Sequence, residues 1–312
     1  MQHLLKQVPI PMSGLMLGLF SLVKLTILME QDLLGIIFFA LGITTWALLV
    51  LKLLFSFDSV VMQMKNAVIA SVAPTFTMGT MVLSSIIFPH FSMIKYLWLA
   101  ALALQILLIC YFIKTFILTK SCSLQSVLPS WFISFVGICI APVTFGHVYP
   151  TLTQFIFYFA LGGYIVLLPL VLVRLKKYTL AEGAKPLIAI FCAPLSLLTI
   201  GYLEAFTTHV DLLLYILFAL SQLFYIVVLT LLPKLLKLPF YPSYAAFTFP
   251  LVISATALER MYMYLDLHAL RYVSYIELGI GALIVLYVYI RYTHFLQKAV
   301  QPVQVVATKT LG

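Results

Sequence analysis

Residues 33–55 read LLGIIFFALGITTWALLVLKLLF, with a single charge, Lys52, close to the end. The run lacks the alternation of apolar and polar residues that a lipid-facing β-barrel strand of about ten residues requires. As a helix it is long enough to cross a hydrocarbon core about 30 Å thick, which takes roughly 20 apolar residues. Similar stretches follow one another along the 312-residue chain, which is 64% hydrophobic and only 9% charged. A soluble domain carries about 25% charge, so this composition cannot cover a soluble surface. The mean hydropathy of +1.15 agrees. The chain reads as an all-α integral membrane protein.

Polar punctuation divides it into ten spans, near 10–28, 33–55, 67–88, 93–118, 126–145, 150–173, 185–206, 211–232, 241–262 and 270–292. The links are short, among them EQD at 30–32, SFDSVVMQMKN at 56–66 and RLKKYTLAEGAK at 174–185. None could fold as a soluble domain. Residues 1–312 are therefore expected to form a single transmembrane domain, with a short cytoplasmic tail from about 296 to 312. The N-terminal MQHLLKQVPIPMSGLMLGLF has a lysine before an apolar run but no small-residue cleavage site, and is read as a retained first helix. With the N-terminus inside, 14 of the 18 basic residues and only Asp58 and Glu182 of the nine acidic ones fall on that side. A bias of this kind sets topology: both termini are expected in the cytoplasm, in a plasma membrane. The net charge of +9 is spread singly or in small groups between apolar runs, which is not a nucleic-acid-binding stripe.

Five prolines, Pro11, Pro74, Pro129, Pro194 and Pro250, fall one in each odd span, at intervals of 63, 55, 65 and 56 residues. Their contexts, IPMSGLMLG, VAPTFTMGT, VLPSWFISF, CAPLSLLTI and TFPLVISAT, each place small or hydroxyl residues after the proline. Such periodicity signals internal repeats, here five helical hairpins. Proline bends a membrane helix and is tolerated where neighbours or water satisfy the freed backbone groups. The expected architecture is an inner ring of kinked odd helices around a central pore, enclosed by an outer ring of even helices.

Five hairpins with kinked odd helices, PIPMSGLMLGL at the start, IAIFCAPLSLLTIGYL in the seventh span and AAFTFPLVISATA in the ninth together resemble the tellurite-resistance/dicarboxylate transporter family. That family includes yeast malic-acid transporters and the plant slow-type guard-cell anion channel. The similarity covers nearly the whole chain, although its strongest motif, FTFP, is short. It implies a homotrimer with one pore per protomer, and a phenylalanine plug that falls on Phe249.

Phe249 also stands out among the repeats, since its counterparts before the proline are Ile10, Ala73, Leu128 and Ala193. The alternative is aromatic packing between helices. At about 100° per residue, Phe249, Thr256 and Arg260 share one stripe. Arg260 there would attract anions at the outer mouth, or else pair with Glu259, Asp266 or Glu277. No carboxylate lies deep in the odd spans, whereas a cation path would show acidic rings. Candidate lining residues are Ser13, Gly14, Thr75, Thr77, Ser130, Ser134, Gly137, Ser196, Thr199, Thr248, Ser254 and Thr256, some of which would instead serve close helix packing, as in the GxxxG from Gly14 to Gly18. His90, His147, His209 and His268 follow odd spans on the outer side, as interfacial polar residues or a vestibule. Cys110, Cys122, Cys139 and Cys192 have no metal-ligand spacing and read as packing residues. No nucleophile–base pair, phosphate loop or metal site is present, so neither an enzyme nor a cofactor is expected. The reading is a passive pore for small anions, either chloride or nitrate or C4-dicarboxylates such as malate. A proton-coupled carrier of dicarboxylates or toxic oxyanions is the alternative, followed by an intramembrane enzyme.

Overall fold

The computed structural model describes residues 2–119 and 123–300. Among the described residues there is no strand. The chain opens with a short helix α1 (Gln2–Gln7), then α2 (Met12–Leu28), α3 (Asp32–Phe55) and α4 (Phe57–Met64). The next pair is α5 (Ala67–Val72) with α6 (Pro74–Ile87), followed by α7 (Lys95–Phe112), whose last turns continue as a π-helix to Leu118. Two short helices, α8 (Trp131–Phe135) and α9 (Ile140–Phe145), precede the long α10 (Pro150–Lys177). A 3-10 stretch Glu182–Cys192 runs into α11 (Ala193–Ala205), then α12 (Asp211–Leu235). A 3-10 turn Pro242–Phe247 leads to α13 (Phe249–Leu265), and α14 (His268–Val300) completes the fold.

Among the described residues, seven helices are long and apolar enough to cross a membrane: Asp32–Phe55, Ala67–Ile87, Ser92–Leu118, Pro150–Lys177, Glu182–Ala205, Asp211–Leu235 and His268–Ala299. The first, fifth and ninth expected spans fall short of that length. Proline is the reason in each. Pro9 and Pro11 hold residues 8–11 out of the helix, leaving α2 with 17 residues. Before Pro129, Val127 is extended, as the residues ahead of a proline tend to be. In the ninth, a 3-10 turn and the distorted Thr248 precede Pro250, which occupies the first turn of α13, where its missing N–H does no harm. Pro74 and Pro194 stand likewise in the first turns of α6 and α11. The five prolines thus mark joints, with a short, tight or broken segment before each and a regular helix after all but Pro129, which the five-residue α8, a 3-10 turn and α9 follow.

Two differences concern the links. Residues 56–66 are not a plain loop, because α4 fills most of them with a helix that buries none of its residues. The tenth helix runs on to Val300, past the expected start of the tail, and residues 301–312 lie outside the described residues.

Burial separates two kinds of helix. The apolar windows of Ala67–Ile87 and Glu182–Ala205 are 78% and 89% buried, whereas the other five long helices lie between 28% and 33%. α2 and α13 are buried on almost every face. Contacts run from α2 to α6, α6 to α9, α9 to α11, α11 to α13, and α13 back to α2, closing a cycle. Outside it, α3 packs on α2, α7 on α6, α10 on α9, α12 on α11 and α14 on α13. The outward faces carry large apolar side chains such as Leu33, Ile36, Phe155 and Leu283. Within lipid, helices associate through van der Waals packing and small residues rather than through exclusion of water. At Gly18 a Cβ would meet Thr248 Cβ at 2.7 Å, and at Gly79 it would meet Leu17 Cα at 3.4 Å, so these glycines set how closely α2 meets α13 and α6.

Candidate functional site

Two cavities lie on the inner side of the helix cycle. The first, of about 50 Å³, is lined by residues at or within several positions of the joints: Gly14 of α2, Thr75 and Met78 of α6, Gly137, Leu197 of α11, and Phe249 with Pro250. The second, of about 100 Å³, lies further along the same helices, between Lys24, Val82, Ile140, Ile200, Thr256 and Arg260. The levels of the two cavities are close. Met78 and Val82, Gly137 and Ile140, Leu197 and Ile200, and Pro250 and Ile253 each belong one to either cavity. At 1.5 Å per residue the septum between them is about one turn, roughly 5 Å, thick. Gly79 and Leu17 meet at that level.

Phe249 is the first residue of α13, 5% exposed, and its wall of the first cavity is shared with Pro250. Pro11 and Pro194 also line this cavity, whereas Pro74 and Pro129 do not border it. The stripe Phe249, Thr256, Arg260 follows the axis, touching the first cavity with its first residue and the second with the other two.

The walls differ from the hydroxyl-rich lining expected from the sequence. Of those candidates only Gly14, Thr75, Gly137 and Thr256 border a cavity. Ser13 bonds Thr75 across α2 and α6 at 2.6 Å and faces a lateral groove between α2, α3 and α7. Thr77 turns outward to the Gln105 amide of α7. Ser196 and Thr199 donate to carbonyls one turn back, Cys192 and Leu195, and Thr248 donates to Gly14 O at 2.9 Å, tying α13 to α2. Ser130 and Ser134 bond Ser71, and Ser254 accepts from Gln222 of α12. The cause is the usual habit of helical hydroxyls, which satisfy themselves on the preceding turn or on a neighbouring helix. What remains on the first cavity is apolar: Val72, Met78, Phe132, Ile190 and Leu197.

Charge gathers at the second cavity. Arg260 Nη2 lies 2.8 Å from Glu204 Oε1, and the other oxygen of Glu204 lies 2.9 Å from His147 Nε2. The partner is thus none of the three carboxylates expected; Glu259 instead accepts from Ser274 at 2.6 Å and faces Arg271 at 3.9 Å. Lys24, not foreseen as a site residue, borders the same space. Its position near the C-terminal end of an odd helix, as with Arg260, was the available signal. Of the other outer histidines, His209 lies against Tyr202 and Tyr264, and His268 against Tyr262. Cys139 and Cys192 are buried, while Cys110 is exposed on α7 rather than packed; Cys122 lies outside the described residues. Glu277 of α14 is buried within hydrogen-bonding reach of Ser254, and its Oε2 has no partner among the described residues. Among those residues no group of three His, Cys, Asp or Glu could hold a metal ion.

Residues 9–293 match the sequence profile of the SLAC1 family, described as voltage-dependent anion channel. No curated protein matches the chain. The match spans nearly the whole sequence, and the chain belongs to the SLAC1 family, which makes it a multi-pass membrane protein of the anion channel and transporter kind.

Proposed function

We propose that this SLAC1-family chain is a passive pore for small anions, occluded by Phe249, in which ten transmembrane helices form five hairpins. The odd helices, jointed at Pro11, Pro74, Pro129, Pro194 and Pro250, surround the pore, and the even helices face lipid. The reading extends to a single transmembrane domain over residues 1–312, with both termini in the cytoplasm of a plasma-membrane protein assembled as a homotrimer. The first cavity is then the inner vestibule and the second the outer one, where Arg260 attracts anions. Chloride, nitrate or a C4-dicarboxylate such as malate is the cargo.

The observation that carries this reading is the pair of cavities on one axis, separated by about one helical turn, with Phe249 on the wall below the septum. Positive charge at the outer cavity and the lack of carboxylates on the inner one support anion over cation. Reversal potentials of Phe249→Ala protein in a potassium chloride gradient test it. Reversal near the chloride equilibrium potential is expected, and reversal near that of potassium ends the anion reading.

A proton-coupled carrier is the second reading, and buried Glu277 beside Ser254 of α13 favours it. A carboxyl inside a membrane protein is costly to keep there and marks proton paths in transporters. Nitrate or malate uptake driven by an imposed pH gradient, and abolished in Glu277→Gln, would select it.

A further inference from the structure

Glu204 does more at the outer cavity than neutralise one cation. It lies in the last turn of α11, and its side chain, only 11% exposed, reaches the cavity-lining Arg260. Its carboxylate is shared. One oxygen holds Arg260 at 2.8 Å, and the other holds the solvent-exposed His147 at 2.9 Å. The backbone fixes this sharing, because a Cβ on Gly146 would come within 2.2 Å of Glu204 O, so the loop bearing His147 lies directly on the helix end. Lys24 faces the same space from α2 and makes no hydrogen bond or ion pair among the described residues. Two basic side chains thus border a cavity of about 100 Å³ beside the Thr256 hydroxyl, and the described residues pair only Arg260 with a carboxylate.

We propose that Lys24 and Arg260 form a binding site for a small monovalent anion, and that the Glu204 carboxylate occupies this site as a tethered competitor which the anion must displace. The proposal rests on the pore reading above and adds a second point of control in series with Phe249. Displacement does not strand Glu204. Leaving Arg260, it keeps His147, while the incoming anion takes over the guanidinium and gains Lys24. The outer site therefore admits an anion by exchange rather than by opening an unpaired buried charge, which would be far more costly.

The test compares Glu204→Gln, Arg260→Gln and Lys24→Met in the Phe249→Ala background, where the inner occlusion no longer limits flux. Nitrate current is measured against external nitrate concentration. Removal of the competitor should lower half-saturating nitrate about tenfold in Glu204→Gln, and loss of either cation should raise it; tenfold corresponds to about 1.4 kcal/mol of binding. A half-saturation in Glu204→Gln that is unchanged, or raised as in Arg260→Gln, overturns the proposal and leaves Glu204 as a brace for Arg260. Nitrate-dependent thermal stabilisation of purified protein reads the same site without flux, and should appear at lower nitrate in Glu204→Gln than in wild type. Absence of flux in Phe249→Ala would therefore sink the pore reading alone, whereas identical nitrate dependence of stability would sink this one. Should Glu204→Gln yield little folded protein, Glu204→Asp keeps the charge, shortens the reach, and should shift half-saturation the same way by less.

Discussion

The two cavities are walled by the same helices, yet they offer an ion opposite surroundings. Around Phe249 the wall is mostly apolar, with valine, methionine, phenylalanine and leucine, and its hydroxyl residues Thr75 and Ser243 donate to backbone carbonyls. One turn further on, Lys24, Arg260 and Thr256 face the space, and Glu204 pairs with Arg260. On the pore reading, the contrast teaches that closure and attraction would be separate tasks. An apolar wall with one ring can block passage without binding anything, and a charged vestibule can concentrate anions without closing.

The largest expected effect comes from Phe249→Ala. Flux of nitrate should rise at least tenfold, at high and low salt alike. Deleting a fully packed core phenylalanine typically costs about 3–5 kcal/mol, but a ring against a cavity has fewer partners, so melting temperature should fall far less than that implies. Unchanged flux with a steep loss of stability would make the inner cavity a packing defect and break the comparison. Next in size, Arg260→Gln should lower conductance severalfold at low salt and little at high salt, since the Debye length shrinks from about 30 Å at 0.01 M to about 3 Å at 1 M. A deficit indifferent to salt would assign Arg260 to structure. Lys24→Met should show the same salt pattern with a smaller amplitude and an unaltered melting temperature, because Lys24 holds no partner among the described residues. Smallest of all is Thr77→Val. It should leave flux as it was and cost about 1 kcal/mol of stability, the ordinary worth of a hydrogen bond, here the one to Gln105. Reduced flux in that variant would mean that hydroxyls line the path after all.

Hydropathy made the outer helices plain, since α3, α10 and α12 are long, uninterrupted and apolar where they are exposed. The repeat of prolines located the joints to within a residue or two. The facing of the inner helices was not legible, for a physical reason. α2 and α13 are buried on nearly every side, so no polar stripe distinguishes the axis from a neighbouring helix. A serine or threonine then reads the same whether it meets an ion or the carbonyl four residues back. Phe249 was singled out by bulk, against four smaller counterparts, and it does border the first cavity. The pairing of Arg260 with Glu204 could not be foreseen from spacing, because the two helix ends meet only once the cycle closes.

The thinness of the septum has an electrical consequence. With solution in both cavities, most of a membrane potential drops across roughly 5 Å of protein instead of a hydrocarbon core about 30 Å thick. The field there is then about six times that in the surrounding bilayer. On the pore reading, a monovalent anion crossing that single turn would exchange nearly the full 2.3 kcal/mol or so per 100 mV, so the voltage sensitivity of the proposed conduction would be concentrated within reach of the Phe249 ring.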